Sequence, residues 1–271
     1  MEVIDRGTGA PLVLVPGVQG RWEYMGPALD ALAERFRVIT FPLYGEPASG
    51  RPVDQRRGLD ALADQIEAVL ESRKLQRAAI CGVSFGGLVA LRFAALRPER
   101  TSALILASTP GPGWRLSGRH RLYTRAPWLF GPLFLVETPW RLRAEVTKAL
   151  PRLQDRWRFI WQQARTLATR PVSPSRMAER SRLIAFSEMC EDGARISVPT
   201  LVVTGEPALD RVVSGSTLEF VRLIRGARSA SLERTGHLGY ITRPDAFARI
   251  LSEFVSSLQP ESRTSAAGGR R

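Results

Sequence analysis

The stretch from Ala79 to Leu91 constrains this chain more than any other. A short apolar run leads into Gly82-Val83-Ser84-Phe85-Gly86, and a helical pattern of apolar residues follows. A serine at the turn between a buried strand and a helix is the setting in which Gly-x-Ser-x-Gly presents a nucleophile. The flanking positions must be glycine because the strand doubles back closely against the helix. The sequence therefore predicts a nucleophilic Ser84 exposed at the top of a sheet, rather than a plain strand-to-helix turn.

Strand and helix patterns alternate on both sides of this stretch. Continuous apolar runs predict strands buried on both faces, over residues 11–15, 38–41, 79–83, 103–107 and 198–204. Amphipathic patterns between them predict helices, such as the one over residues 59–72. The alternation predicts an α/β fold with a mostly parallel, doubly wound sheet. Ligands of such sheets bind beyond the carboxyl ends of the strands, which is where Ser84 lies.

The alternation stops after Ala107 and resumes at Val198. Residues 112–195 show no clear strand pattern and are predicted to form a helical cap inserted into a core of residues 1–111 and 196–258. Five of the six tryptophans lie in this insertion, and several apolar residues between Leu153 and Ala168 share one helical face. Helix packing and a substrate pocket are both open explanations for the tryptophans. Residues 259–271 are polar and are predicted to be a flexible tail.

The charge of the chain is concentrated in the same insertion. The formal net charge is +13, and residues 112–195 contribute 16 cations against 7 anions. This excess indicates a solvated basic surface, with an anionic substrate, an acidic membrane surface or nucleic acid as alternatives. Because no nucleic-acid motif is visible, no nucleic-acid partner is expected. The absence of a signal-peptide pattern and of a long apolar run predicts a cytoplasmic protein without integral membrane association.

A serine hydroxyl needs a base beside it, and the base needs a carboxylate to orient it. The chain has two histidines, His120 within the insertion and His237 after the last predicted strand. His237 is the predicted base, because its strand ends at the same edge of the sheet as Ser84. Asp210 follows the strand at 198–204 and is the preferred acid, with Glu206 as the alternative. Two histidines and two distant cysteines give no metal constellation, and no cofactor motif is visible.

The chain resembles the α/β-hydrolase superfamily, and most of all its small capped bacterial serine hydrolases. The resemblance rests on the chain order Ser84, Asp210, His237, on the serine turn and on the helical insertion. The resemblance covers about residues 3 to 258. It implies an α/β-hydrolase fold with the cap after the sixth strand of the usual numbering, and a catalytic triad of Ser84, Asp210 and His237. It also implies an oxyanion hole formed by the backbone N–H groups of Val18 and Phe85.

Three features depart from the usual pattern of that superfamily. Pro16-Gly17 stands where His-Gly is usual, the loop after the strand at 38–41 lacks the usual Asp and Gly-x-Gly-x-Ser, and the acid loop is slightly long. The last of these keeps Glu206 open as the acid. A serine nucleophile excludes the relatives that attack with aspartate, such as haloalkane dehalogenases and epoxide hydrolases of this fold.

The predicted function is a cofactor-independent serine hydrolase, most simply a carboxylesterase that works through an acyl-enzyme on a small ester-like substrate. A lactonase or carbon–carbon bond hydrolase of a small anionic substrate is the alternative within enzymes. A non-catalytic binding protein of the same fold is the alternative outside them. An arginine of the insertion is expected to reach the cavity above Ser84, where it could pair with a substrate carboxylate. The sequence leaves the oligomeric state open.

Overall fold

A seven-stranded sheet organises the chain in the computed structural model, which describes residues 1–258 but not the side chains of Arg119, Pro132, Phe134 and Leu135. The predicted tail at 259–271 lies outside the described residues. The strands are β1 (Ile4–Arg6), β2 (Pro11–Val15), β3 (Arg37–Thr40), β4 (Ala78–Val83), β5 (Thr101–Ala107), β6 (Thr200–Thr204) and β7 (Arg228–Ser231). Their order in the sheet is β1-β3-β2-β4-β5-β6-β7. Every pairing is parallel except that of β1 with β3.

Eleven α-helices accompany the strands in the described part of the chain. They are α1 (Gly26–Ala33), α2 (Leu59–Ser72), α3 (Phe85–Leu96), α4 (Gly118–Arg125), α5 (Pro127–Ala149), α6 (Leu153–Thr169), α7 (Pro174–Ile184), α8 (Met189–Arg195), α9 (Glu219–Leu223), α10 (Gly239–Thr242) and α11 (Pro244–Ser256). The predicted α/β-hydrolase fold is confirmed. Five helices, α4 to α8, follow β5, which is the sixth strand in the usual numbering of this fold.

Two hydrophobic layers cover the sheet, one on each face. Successive side chains of a strand point to opposite faces, so Val13 and Leu14 of β2 belong to different layers. One layer includes apolar side chains of α2, α3, α8 and α9, and the other includes those of α1, α10 and α11. All six residues of β4 are buried, as expected of a central strand. Helices thus cover both faces of the sheet, and the candidate site lies at the edge formed by the carboxyl ends of the strands.

The tryptophans of the insertion are the largest departure from the sequence prediction. Trp128, Trp140, Trp157 and Trp161 expose 77%, 75%, 67% and 72% of their surface. Neither helix packing nor a closed pocket therefore explains these four side chains. Trp114 is the exception, since it is partly buried and donates its indole N–H to the carbonyl of Val212 at 2.8 Å. No helix within residues 1–258 has the length and apolar character needed to cross a bilayer.

Candidate active site

The turn between β4 and α3 holds Ser84 in a strained backbone conformation. Its φ is +54° and its ψ is −121°, a region that residues with a side chain rarely adopt. Such strain persists only where the surroundings over-determine it, and it is frequent at functional sites. Here the N–H of Ser84 donates to the carbonyl of Ala107 at 2.8 Å, which ties the turn to β5. The side chain remains partly exposed between two buried neighbours, Val83 and Phe85.

The glycines around this turn allow the backbones to approach one another. A Cβ at Gly82 would overlap the carbonyl group of Gly86, and a Cβ at Gly86 would overlap the carbonyl groups of Val15 and Pro16. A Cβ at Gly17 would lie 3.5 Å from the Cβ of Ser84. The turn after β2 therefore lies directly beside the serine.

Phe85 directly follows Ser84, and Val18 directly follows Gly17 in the turn beside Ser84. Phe85 is the first residue of α3, so its N–H has no acceptor within the helix and lies at the positive end of the helix dipole. Val18 lies inside a turn that the N–H of Gly20 closes on the carbonyl of Gly17 at 2.8 Å. These are the positions at which the sequence resemblance implies an oxyanion hole.

Asp210 and His237 lie together at the same edge of the sheet. Nδ1 of His237 is 3.6 Å from Oδ2 of Asp210, and both side chains are buried. This separation is slightly longer than a hydrogen bond, and catalytic pairs commonly tighten when substrate binds. The other carboxylate oxygen, Oδ1, accepts the N–H groups of Val212 and Val213, each at 2.8 Å. Burial raises the pKa of Asp210, but His237 and the two N–H donors lower it more, so the net shift is downward.

Close packing of two loops brings this acid and base together. A Cβ at Gly205 would overlap the carbonyl of Gly236, and a Cβ at Gly236 would lie 2.7 Å from the carbonyl oxygen of Leu209. The N–H of Glu206 donates to the carbonyl of Thr235 at 2.7 Å. Only glycine permits this approach, so Gly205 and Gly236 belong to the architecture of the site although they carry no reactive group.

The two alternative residues from the sequence have other partners. Glu206 accepts from Nζ of Lys148 at 2.6 Å and from the N–H of Arg234 at 2.7 Å. The bond to Lys148 is the main reason that the pKa of Glu206 is lowered. His120 lies in α4, with Nε2 at 2.6 Å from Nη1 of Arg141 and Nδ1 at 2.7 Å from the hydroxyl of Ser117. Glu206 and His120 thus contact other partners, whereas Asp210 and His237 lie together at the edge of the sheet.

A second buried carboxylate, that of Glu145 in α5, was not singled out by the sequence. The side chain is 1% exposed, and its Oε1 accepts the N–H groups of Gly236 at 2.8 Å and Leu238 at 2.5 Å, on either side of His237. Burial raises the pKa of Glu145, and the two N–H donors and His237 offset that effect only in part. The inserted helices therefore support the backbone that carries the predicted base. Periodicity along α5 carried no signal for this contact, because the partner atoms belong to a distant loop.

Arg180 in α7 is the arginine of the insertion that comes nearest to the expectation of an arginine at the cavity above Ser84, although the sequence did not single it out by number, and it is fully buried. Its Nη1 donates to the carbonyls of Val18 and Gln19, each at 3.1 Å, and its Nη2 to the carboxylate of Glu46 at 2.9 Å. Burial lowers the pKa of Arg180 although Glu46 raises it. The expected arginine thus reaches the turn beside Ser84, but protein acceptors already occupy both of its Nη atoms. We assign it to holding the Val18 turn rather than to pairing with a substrate carboxylate.

Replacing Arg180 with methionine should destabilise the protein by about 3 kcal/mol, because Glu46 is left buried without its main partner. Arg21 and Arg176, at 3.3 Å and 3.5 Å from Glu46, retain part of the compensation. Urea unfolding of the variant measures the change. Arg182→Met on the same helix is the control, since Arg182 is exposed and its loss should cost less than about 1 kcal/mol. Equal losses in the two variants would contradict a structural role for the buried pair.

A separate cleft lies away from this site, between α2 and the loop before α8. It has a volume of about 450 Å³, and Asp60, Arg92 and Asp192 contribute to its lining. Arg92 bonds to Asp60 at 2.6 Å and to Asp192 at 2.7 Å, so its charge is already matched within the protein. Among the described residues, no group of three or more His, Cys, Asp or Glu side chains is arranged to hold a metal ion.

Comparisons with known proteins find relatives that span most of the chain. The chain is 25% identical over 254 residues to 3-oxoadipate enol-lactonase 1 from Acinetobacter baylyi, covering 89% of this chain and 85% of the relative. It is 26% identical to the pimeloyl-acyl-carrier protein methyl ester esterase of Nitrosomonas europaea, covering 91% and 96% of the two chains. An esterase from Exiguobacterium antarcticum superposes with a TM-score of 0.76 at 20% identity, covering 94% of each chain, and shows the same fold.

The family comparison spans both halves of the sheet. The model of the alpha/beta hydrolase family matches residues 12–250, from β2 to α11. The match includes the strained serine turn, the loop of Asp210 and the loop of His237. Since this range is most of the chain and the sheet order is that of the fold, the protein belongs to the alpha/beta hydrolase family.

Proposed function

We propose that the protein is a serine hydrolase that cleaves carboxylic esters through an acyl-enzyme, with Ser84, Asp210 and His237 as its triad. The observation that carries the proposal is the pairing of buried His237 with Asp210 at 3.6 Å, at the sheet edge where the strained Ser84 turn also ends. A serine of ordinary reactivity would need neither the strained turn nor a buried imidazole–carboxylate pair. Relatives named as a lactonase and an esterase support the hydrolase class.

In the proposed reaction, Oγ of Ser84 attacks the carbonyl carbon of the ester while Nε2 of His237 takes the hydroxyl proton. The carbonyl oxygen becomes an oxyanion, which the N–H groups of Val18 and Phe85 stabilise. Collapse of this intermediate breaks the bond to the alcohol, which leaves with the proton from the imidazolium. Water then attacks the acyl-enzyme with His237 as base, and the carboxylic acid and free Ser84 are regenerated. Asp210 holds the imidazole in the tautomer that this cycle requires.

We further propose that the inserted segment, residues 112–195, covers the site and selects the substrate. Two contacts support this role. Arg180 binds the turn that carries Val18, and Glu145 binds the loop that carries His237. Helices of the insertion therefore hold both the turn that carries Val18 and the loop that carries His237. A shift of these helices would move an oxyanion donor and the base together.

A lactone is the second candidate substrate. The enol-lactonase from Acinetobacter baylyi aligns with 89% of this chain, and a lactone is a cyclic ester that the same three residues can open. In that case the alcohol stays on the acyl group, so a single hydroxy acid is released after deacylation. A panel of short p-nitrophenyl esters and unsubstituted lactones separates the two candidates by relative kcat/KM.

Labelling with a small fluorophosphonate, followed by intact-mass measurement, tests the proposed function directly. We expect one adduct per wild-type chain, because only an activated serine reacts at an appreciable rate. The labelled residue, identified by peptide mass, should be Ser84. An unlabelled wild-type protein, with small as well as bulky probes, would contradict the proposal and favour a non-catalytic binding protein of the same fold.

A further inference from the structure

The apolar stripe of α6 faces away from the protein. Leu153, Trp157, Ile160, Trp161 and Leu167 are each at least 40% exposed, and no residue of α6 is buried. At about 100° per residue these five residues, called here the α6 face, fall within about 120° of one another around the helix axis, so they lie on one side of the helix. Partly buried residues such as Phe159 and Thr166 lie on the opposite side, toward the body of the protein. The amphipathic helix is thus turned with its apolar side to solvent.

The next helix in the N-terminal direction has the same property. Leu129, Leu133, Val136 and Trp140 of α5 are exposed and also recur at three- and four-residue spacing. Exposed apolar side chains that are grouped on one side of a helix, rather than scattered singly, are typical of a surface that binds something. Exposure of several tryptophans is especially uncommon, since each offers a large apolar surface with one polar N–H.

Positive charge is concentrated in the segment of the chain that contains α6. Residues 140–170 contain eight cations and two anions, and one of those anions, Glu145, is buried. At about 100° per residue, Arg158 and Arg165 lie beside the α6 face. Within residues 1–258, no carboxylate lies at ion-pair distance from either of these exposed arginines. The surface therefore combines aromatic, aliphatic and unpaired cationic side chains.

This combination of side chains favours one kind of binding partner over the others. A second copy of the chain would bring two strongly basic surfaces into contact, which is unfavourable. Nucleic acid would satisfy the arginines, but its phosphates and bases offer no apolar medium for Leu153, Ile160 and Leu167. An anionic bilayer surface satisfies all three kinds of side chain. Aliphatic groups enter the acyl boundary, tryptophans lie at the headgroup level, and arginines meet lipid phosphates.

We infer that the α6 face docks on anionic phospholipid membranes, with α6 lying in the plane of the interface. The binding is peripheral and reversible, because it rests on one helix face and a few charges. It would place the protein beside amphiphilic molecules. The inference does not depend on the chemistry of Ser84, since none of the residues of the α6 face belongs to the proposed triad.

Co-sedimentation of the full chain with phospholipid vesicles tests this inference. We expect binding to vesicles that contain phosphatidylglycerol, weaker binding to pure phosphatidylcholine, and loss of the difference at high salt. The double variant Trp157→Ala/Trp161→Ala should bind at least about tenfold more weakly, because two interfacial aromatic contacts are lost. The double variant Arg158→Glu/Arg165→Glu should lose its preference for the anionic lipid. Phe186→Ala is the matched control, since Phe186 is 82% exposed but lies outside α5 and α6.

Two further measurements keep the result interpretable. All variants should unfold in urea as the wild type does, because the substituted side chains are exposed. The inference is overturned if phosphatidylglycerol has no effect on wild-type binding, or if the tryptophan variant binds as the wild type does. Sedimentation equilibrium that shows a dimer dissociated by the tryptophan substitutions would overturn it as well, and would assign the α6 face to a second copy. Tight binding of duplex DNA by the α6 face would overturn it in favour of nucleic acid.

Discussion

Replacing Ser84 with alanine should lower kcat/KM for the best ester substrate by on the order of 10⁵-fold or more. The reason is that the acyl-enzyme cannot form, so that only the oxyanion donors and substrate binding remain to accelerate attack by water. The residual rate should stay above the uncatalysed rate, because Val18 and Phe85 are left in place. Steady-state kinetics with a p-nitrophenyl ester measures the loss. Pre-steady-state kinetics should show an initial burst of nitrophenol in the wild type if deacylation limits turnover.

Two companion variants separate chemistry from folding. Ser84→Gly should be as inactive as Ser84→Ala but about 1 kcal/mol more stable to urea, because glycine relieves the strain at φ +54°. Ser252→Ala, at a partly exposed position of α11, should leave both activity and stability near wild type. If Ser84→Ala kept most of the wild-type activity, the nucleophile would have to be assigned elsewhere. If Ser84→Gly were less stable to urea than the wild type, the backbone conformation of Ser84 would not destabilise the protein as its φ and ψ angles indicate.

Local sequence patterns anticipated the core of the fold in detail. The predicted helix at 59–72 coincides with α2, and the predicted strand at 11–15 coincides with β2. Both elements are buried on the face or faces that their apolar residues indicate, so local periodicity and tertiary packing agree. The Gly-x-Ser-x-Gly turn was equally readable as a motif. Gly82 is required by a contact close in sequence, since its Cβ would overlap the carbonyl of Gly86, whereas Gly86 is required by its approach to the distant carbonyls of Val15 and Pro16.

Contacts between distant segments could not be predicted from local sequence patterns. Glu145 and Arg180 are buried by residues about 90 and more than 130 positions away, and no local spacing specifies those partners. The α6 face shows a different limit. Its periodicity correctly predicts an amphipathic helix, but a period of 3.6 residues does not say whether the apolar side meets the core or the surroundings. The orientation is set by the opposite side, where Phe159 packs against the core.

Replacing Asp210 with asparagine should lower kcat by on the order of 10⁴-fold while leaving KM within a few-fold of wild type. An amide at this position cannot stabilise the imidazolium, and its N–H₂ group favours the wrong tautomer of His237. The two backbone N–H groups of Val212 and Val213 can still bond to the amide oxygen, so the loop should keep its shape. Kinetics of the purified variant, together with an unchanged circular-dichroism spectrum, checks both expectations.

The two other carboxylates near this edge serve as matched controls for Asp210. Glu206→Gln should lower kcat less than about tenfold, because Glu206 faces Lys148 rather than His237. Glu145→Gln should also retain activity within about tenfold, since an amide oxygen can still accept the N–H groups of Gly236 and Leu238. If Glu206→Gln lost its activity while Asp210→Asn was nearly unaffected, the triad acid would be Glu206, the alternative that the long acid loop suggests. A collapse in Glu145→Gln alone would instead show that the inserted helix supplies the charge that His237 requires, and the triad would have to be redrawn with its acid outside the sheet.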